Sequence, residues 1–159
     1  MRFPQQLVGL GGSLTATLAS LLIGGLAQAQ PAENTITIGP GFSPNPLEFR
    51  KVGSGSVPVR ELVGKSDTPT GECTGFSDSA PDYTLVLTSF FNALSLELRS
   101  SEDTAIAIKG PGGVWCNDDY KGKNPGVTGQ WLAGTYRIWV STYAKNRSHS
   151  YTLRLTEQR

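Results

Sequence analysis

Beyond residue 80 the chain alternates apolar and polar positions with a period of two. Tyr83, Leu85 and Leu87 fall on one face of a short run, and Leu94, Leu96 and Leu98 alternate with Ser95, Glu97 and Arg99. Ile106 and Ile108 alternate with the small Ala105 and Ala107, and Tyr136, Ile138 and Val140 with Arg137, Trp139 and Ser141. The last such run sets Tyr151, Leu153 and Leu155 against Thr152, Arg154 and Thr156. Successive side chains of a strand point to opposite faces, so each run predicts a strand with one face on a core. Turn-forming residues separate the runs at 110–113, 117–129, 133–134 and 145–148. Upstream, 39–46 reads as a Pro- and Gly-rich turn segment, 57–63 as a short edge strand, and 64–80 as a loop. No stretch after residue 30 carries a convincing helical period. The pattern predicts an all-β fold, a two-sheet antiparallel β-sandwich, with a closed barrel as the lesser alternative.

The first residues follow another logic. Arg2 is followed by an uncharged apolar stretch from Leu7 to Leu26, and Ala27-Gln28-Ala29 has the small-x-small form of an export cleavage site. An uncleaved anchor is the competing reading, because roughly 20 apolar residues just span a bilayer. Gly11, Gly12, Gly24 and Gly25 weaken such a helix. Residues 1–29 are therefore expected to be a signal peptide and 30–159 a single domain, with no membrane insertion after cleavage. The product is expected to be secreted or periplasmic, and bacterial in type.

Charge and cysteine content narrow the partners. The formal net charge is +1, and cleavage at residue 29 removes Arg2. A balanced surface offers no polyelectrolyte footprint for nucleic acid. Cys73 and Cys116 are the only two cysteines. In an oxidising compartment an even pair is most simply a disulfide, and no C-x-x-C spacing or nearby histidine favours a metal or a reactive thiol.

The C-terminal half carries a wider resemblance. The segment Asp103-Thr104-Ala105-Ile106, the turn Gly110-Pro111-Gly112-Gly113, the loop Cys116-Asn117-Asp118-Asp119, the run Gly134-Thr135-Tyr136 and the closing Tyr151-Thr152-Leu153 stand in this order. The arrangement resembles the bacterial pre-peptidase C-terminal domain. That resemblance implies an exported, jelly-roll-like sandwich of the kind appended to secreted peptidases and other hydrolases. No large catalytic domain accompanies it in this sequence.

Two clusters are candidates for chemistry. Calcium takes six to eight oxygen ligands, and Asn117, Asp118 and Asp119, with Asp103 at the head of the neighbouring strand, can supply several. Asp82 or Asn124 would complete the shell. The plainer alternative is that Asn and Asp favour turns by bonding their own backbone. The second cluster is aromatic: Trp131, Trp139 and Tyr143, with Trp115 and Tyr120 near them in sequence. Trp139 falls on the face opposite Tyr136 and Ile138, where it can stack on a sugar ring or cover a core edge. Catalytic signatures are weaker. The only histidine, His149, sits in a hydrophilic turn and reads as ordinary surface, and no G-x-S-x-G or H-E-x-x-H motif is present. The expected function is a non-catalytic accessory or binding module, calcium-stabilised, that contacts a protein or polysaccharide at the cell envelope. A secreted hydrolase or peptidase-associated protein and a carbohydrate-binding module are the alternatives.

Overall fold

The computed structural model describes residues 34–158. The expected signal peptide and cleavage site lie outside them. Thirteen strands and one short helix follow in order: β1 (Thr35–Ile38), β2 (Leu47–Gly53), β3 (Val57–Pro58), α1 (Val59–Val63), β4 (Asp67–Thr68), β5 (Gly71–Glu72), β6 (Phe76–Ser77), β7 (Tyr83–Leu87), β8 (Phe91–Ser100), β9 (Thr104–Gly110), β10 (Gly113–Asn117), β11 (Gly126–Trp131), β12 (Gly134–Thr142) and β13 (His149–Glu157).

Two sheets build the sandwich. One runs β11-β8-β13-β2, antiparallel throughout. The other is centred on β12, which pairs with β9 along one side and with β7 and then β6 along the other. β10 extends it beyond β9, and β1 joins β7 in the one parallel pairing among the described strands. A small β4–β5 ladder stands apart. The facing layers enclose a continuous core that includes Leu85, Leu87, Leu94, Leu96, Ile108, Ile138, Leu153 and Leu155. These are the inward positions of the period-2 runs, so the sandwich expected from the sequence is the fold observed.

The segment 57–63 departs from the expected edge strand. Only Val57 and Pro58 are extended; Val59–Val63 forms a helical turn that ends at Gly64, whose φ of 76° is left-handed. Val59 and Val63 are spaced by four residues, which places them on one helical face, and both are buried. That face packs on Cys73, Ala107, Cys116 and Trp139 as a second cluster outside the main core. The Cys73–Cys116 disulfide joins this covering segment to β10, closing a span of 43 residues. The loop expected at 64–80 contains three two-residue strands, and the turn expected at 117–129 yields its end, from Gly126 on, to β11.

Candidate functional site

The acidic corner forms where the start of β9, the end of β10 and the end of β12 meet. The Tyr143 hydroxyl donates to Asp118 Oδ2 at 2.8 Å. Burial pushes this phenol well above its usual range. The bond to Asp118 and the fields of Asp118, Asp103 and Asp119 push it the same way. Of the three carboxylates named from the sequence, Asp118 meets this hydroxyl, and Asp103 and Asp119 act on it through their charge. Asn117 is committed elsewhere: its Oδ1 accepts the Gly126 N–H at 2.9 Å and its Nδ2 donates to the Thr70 carbonyl at 2.9 Å. It acts as a clamp between the β4–β5 turn, β10 and β11. Asn124 accepts the Ser100 N–H at 3.0 Å. Asp82 is drawn inward, accepting the Val140 N–H at 2.8 Å and the Tyr151 hydroxyl at 3.0 Å. Neither stands ready to complete a shell. Among the described residues, no three His, Cys, Asp or Glu side chains are grouped closely enough to hold a metal ion.

The tryptophans divide differently from the sequence expectation. Trp139 does point away from the main core, but the covering segment seals it, leaving 4% exposure and an indole N–H donated to the Ser79 carbonyl. Trp131 is equally buried and donates to the Leu94 carbonyl at 3.0 Å. Both are packing residues, and neither offers a stacking face. Tyr143 stays exposed. Trp115 is the tryptophan that borders open space. Its half-buried ring lies 5.9 Å from Trp131 and 6.2 Å from Tyr136, and its indole N–H has no partner among the described residues. These rings, with Pro111, Gln130 and the exposed Leu132, line a cleft of about 270 Å³. Gly112 (φ 89°) bends the β9–β10 hairpin across it; a Cβ there would lie 3.6 Å from the Trp115 ring. The sequence placed Trp115 among the aromatics but held no sign that β11 would stand beside it.

His149 overturns its expectation as surface. It is 3% exposed and stacks on Tyr151 with ring centroids 5.6 Å apart. As the first residue of β13 it faces inward opposite Gly53, where a Cβ would approach its ring to 3.1 Å. The missing side chain of Gly53 makes the room. Neither imidazole nitrogen has a hydrogen-bond partner among the described residues. The alternation His149, Tyr151, Leu153, Leu155 was the available signal. A histidine so enclosed holds no hydroxyl within reach as a general base requires.

No known protein-family model matches the chain. It is 28% identical over 118 residues to an uncharacterised protein of Synechococcus elongatus, covering 70% of this chain and 87% of that protein. Among solved structures it is similar to the pre-peptidase C-terminal domain of a collagenase from Bacillus anthracis, the kind of domain its C-terminal half resembles. That likeness has a TM-score of 0.46 and 11% identity, over 80% of this chain and 99% of the other. It is also similar to a periplasmic inhibitor of g-type lysozyme from Aeromonas hydrophila, with a TM-score of 0.41 and 12% identity, over 79% and 98%.

Proposed function

We propose that the chain is an exported, non-catalytic binding module, and that its Trp115 cleft takes a sugar ring of a cell-envelope polysaccharide. The observation that carries this reading is an aromatic floor whose Trp115 indole N–H has no partner among the described residues, in a cleft also bordered by Gln130 and Thr128. An aromatic face next to polar groups suits a sugar, which is apolar on its ring faces and polar at its rim. The buried disulfide fits an oxidising compartment. The enclosed His149 favours binding over hydrolysis.

Retardation of the mature protein in native gels cast with soluble xylan or β-glucan, and its pull-down on peptidoglycan, test the reading. Trp115→Ala and Leu132→Ser should weaken retention while Trp139→Phe leaves it intact. Equal retention of all these proteins, or none by the wild type, would sink it. Digestion of casein or gelatin by the purified protein would instead favour the hydrolase alternative.

Calcium at the acidic corner is a second proposal, favoured by the run Asn117-Asp118-Asp119 and by the negative field of Asp103, Asp118 and Asp119 at the Tyr143 hydroxyl. Asp118, already bonded to Tyr143, would be the first ligand, and Asp103 and Asp119 would have to draw in to it, because no three of these side chains are grouped closely enough as they stand. An ion that binds only the folded form stabilises it by mass action. Calcium should therefore raise the melting temperature, and Asp118→Ala with Asp119→Ala should abolish the rise. A melting curve indifferent to calcium and chelator would end the proposal.

A further inference from the structure

The outer face of the four-stranded sheet carries a charge arrangement that the Trp115 cleft does not use. Strand register sets Arg154 of β13 between Glu48 of β2 and Glu97 of β8. That row neutralises itself: Arg154 lies 3.7 Å from Glu48, and Lys121 reaches Glu97 at 2.8 Å. Two residues along β13 the order inverts. Thr152 stands between Arg50 and Arg99, both exposed. Neither arginine makes a hydrogen bond or ion pair within the described residues. The position that would complete the alternation with an acid holds a threonine.

This row floors an open cleft of about 800 Å³. Three cations border it (Arg50, Lys51 and Arg99) and no carboxylate does, although Lys51 is itself tied to Asp82 at 3.4 Å. Ser100, Ser101, Ser150 and the Asn124 amide supply further hydrogen-bonding groups. Adjacent strands lie about 4.8 Å apart, so the two guanidinium stems are rooted about 10 Å apart across the sheet. A guanidinium presents a planar fork of donors that matches a carboxylate.

We propose that this face is an anion-binding site for an acidic, carboxylate-bearing polysaccharide, whose uronate groups occupy the place of the missing acid between Arg50 and Arg99. Charge complementarity selects an anion. The lining selects a polyhydroxylated one, because protein-binding patches centre on aromatic residues and Met around a desolvated core. Among the described residues that line this cleft, the only large exposed apolar side chain is Val52. The site stands apart from the Trp115 cleft, and either can fail without the other.

Retention of the mature protein on immobilised alginate, on neutral dextran and on poly-glutamate tests the proposal. The wild type should be held by alginate, released as salt screens the charges, and pass freely through dextran. Arg50→Ala with Arg99→Ala should weaken the alginate interaction by roughly tenfold or more, as expected for loss of charged hydrogen bonds. Arg137→Ala with Lys145→Ala removes the same charge from other exposed positions and should leave it unchanged. Thr152→Asp keeps both arginines and inserts the missing acid; it should block alginate while the melting temperature holds. Equal losses in the two double variants, undiminished binding by Thr152→Asp, binding to poly-glutamate as tight as to alginate, or no alginate retention by the wild type would each overturn the proposal.

Discussion

Asp82 plugs a gap in the ladder of the larger sheet, and its removal tests how the two layers are joined. Along β12, pairing with β7 runs from Gly134 to Ile138, and pairing with β6 resumes only at Thr142. Between them the Val140 N–H faces no strand. Asp82 Oδ2 accepts it at 2.8 Å, while Oδ1 accepts the Tyr151 hydroxyl from the opposite sheet at 3.0 Å and meets the Lys51 ammonium at 3.4 Å. One carboxylate therefore satisfies a backbone donor of one layer and a side-chain donor of the other. Asp82→Ala strands both. A buried donor left without a partner costs about 1–3 kcal/mol, and breaking a buried ion pair from one side costs about 3–5 kcal/mol. The carboxylate is 11% exposed, so little solvent relief is available. The loss is expected at about 3–5 kcal/mol, a fall in melting temperature of roughly 10–20 °C for a domain of this size. Asp82→Asn keeps a carbonyl oxygen for Val140 and loses the charge, so about 1–2 kcal/mol is expected. Urea unfolding supplies the energies, and hydrogen exchange at the Val140 amide should accelerate more in the alanine variant. Loss of less than about 1 kcal/mol in Asp82→Ala, with Val140 exchange unchanged, would refute the reasoning.

The other expectations concern the covering segment, the enclosed histidine and alkaline pH. Cys73→Ser with Cys116→Ser frees a 43-residue span; the chain-entropy estimate is about 4 kcal/mol, read as a lower denaturation midpoint with signals of the Trp139 environment lost first. His149→Phe removes two ring nitrogens that have no partner and should leave stability unchanged or raised by up to about 1–3 kcal/mol, whereas destabilisation of that size would show that the imidazole is engaged. Burial foremost raises the phenols of Tyr83, Tyr136, Tyr143 and Tyr151 above their ordinary value in the fold. Their contribution is complete below the unfolded value of about 10 and is lost as pH rises from there through the folded values. The melting temperature should drop above that pH, and absorbance at tyrosinate wavelengths should rise together with unfolding; a flat profile would contradict it.

How much of this was legible in the sequence depended on whether one face of a strand stayed polar. β7, β8, β12 and β13 announced themselves because most of their outward residues are Thr, Ser, Arg or Glu, with Val86 and Trp139 among the apolar exceptions. β2 did not: its inward series is Leu47, Phe49, Lys51, and its outward series ends in Val52 at 61% exposure, which blurs the period. Lys51 tolerates its place because its ammonium reaches the rim at Asp82. β11 was hidden by two glycines and by a register shift between Gly129 and Trp131. The helical turn was written in Val59, Leu62 and Val63, an i, i+3, i+4 set too short to outweigh the extended reading. The acidic corner was read from neighbours in sequence; of those carboxylates Asp118 bonds Tyr143, and Asp103 and Asp119 reach that hydroxyl through their charge alone. The roles of Asn117 and Asp82 were out of reach, since their partners Thr70, Gly126, Val140 and Tyr151 are set by folding.

The placement of open surface follows from the same covering segment. Period-2 reasoning assigns Trp139 to the outside of its sheet, and that assignment is geometrically right. Whether an outside face meets water is a separate question, decided by what else the chain lays over it. Here α1, held by the Cys73–Cys116 bond, lies over Ala107 and Trp139. The small side chain of Ala107 lets the helix approach, so β9 is buried on both faces, with Ile106 and Ile108 on the main core and Ala107 under the helix. The half of this sheet around Trp139 is thereby withdrawn from any ligand. Among the described residues nothing covers the β2–β13–β8 face in this way, and its polar residues are not committed to the core. The layer closed by the disulfide carries the covering cluster, and the outer face left open among the described residues is where the anion site at Arg50 and Arg99 is proposed.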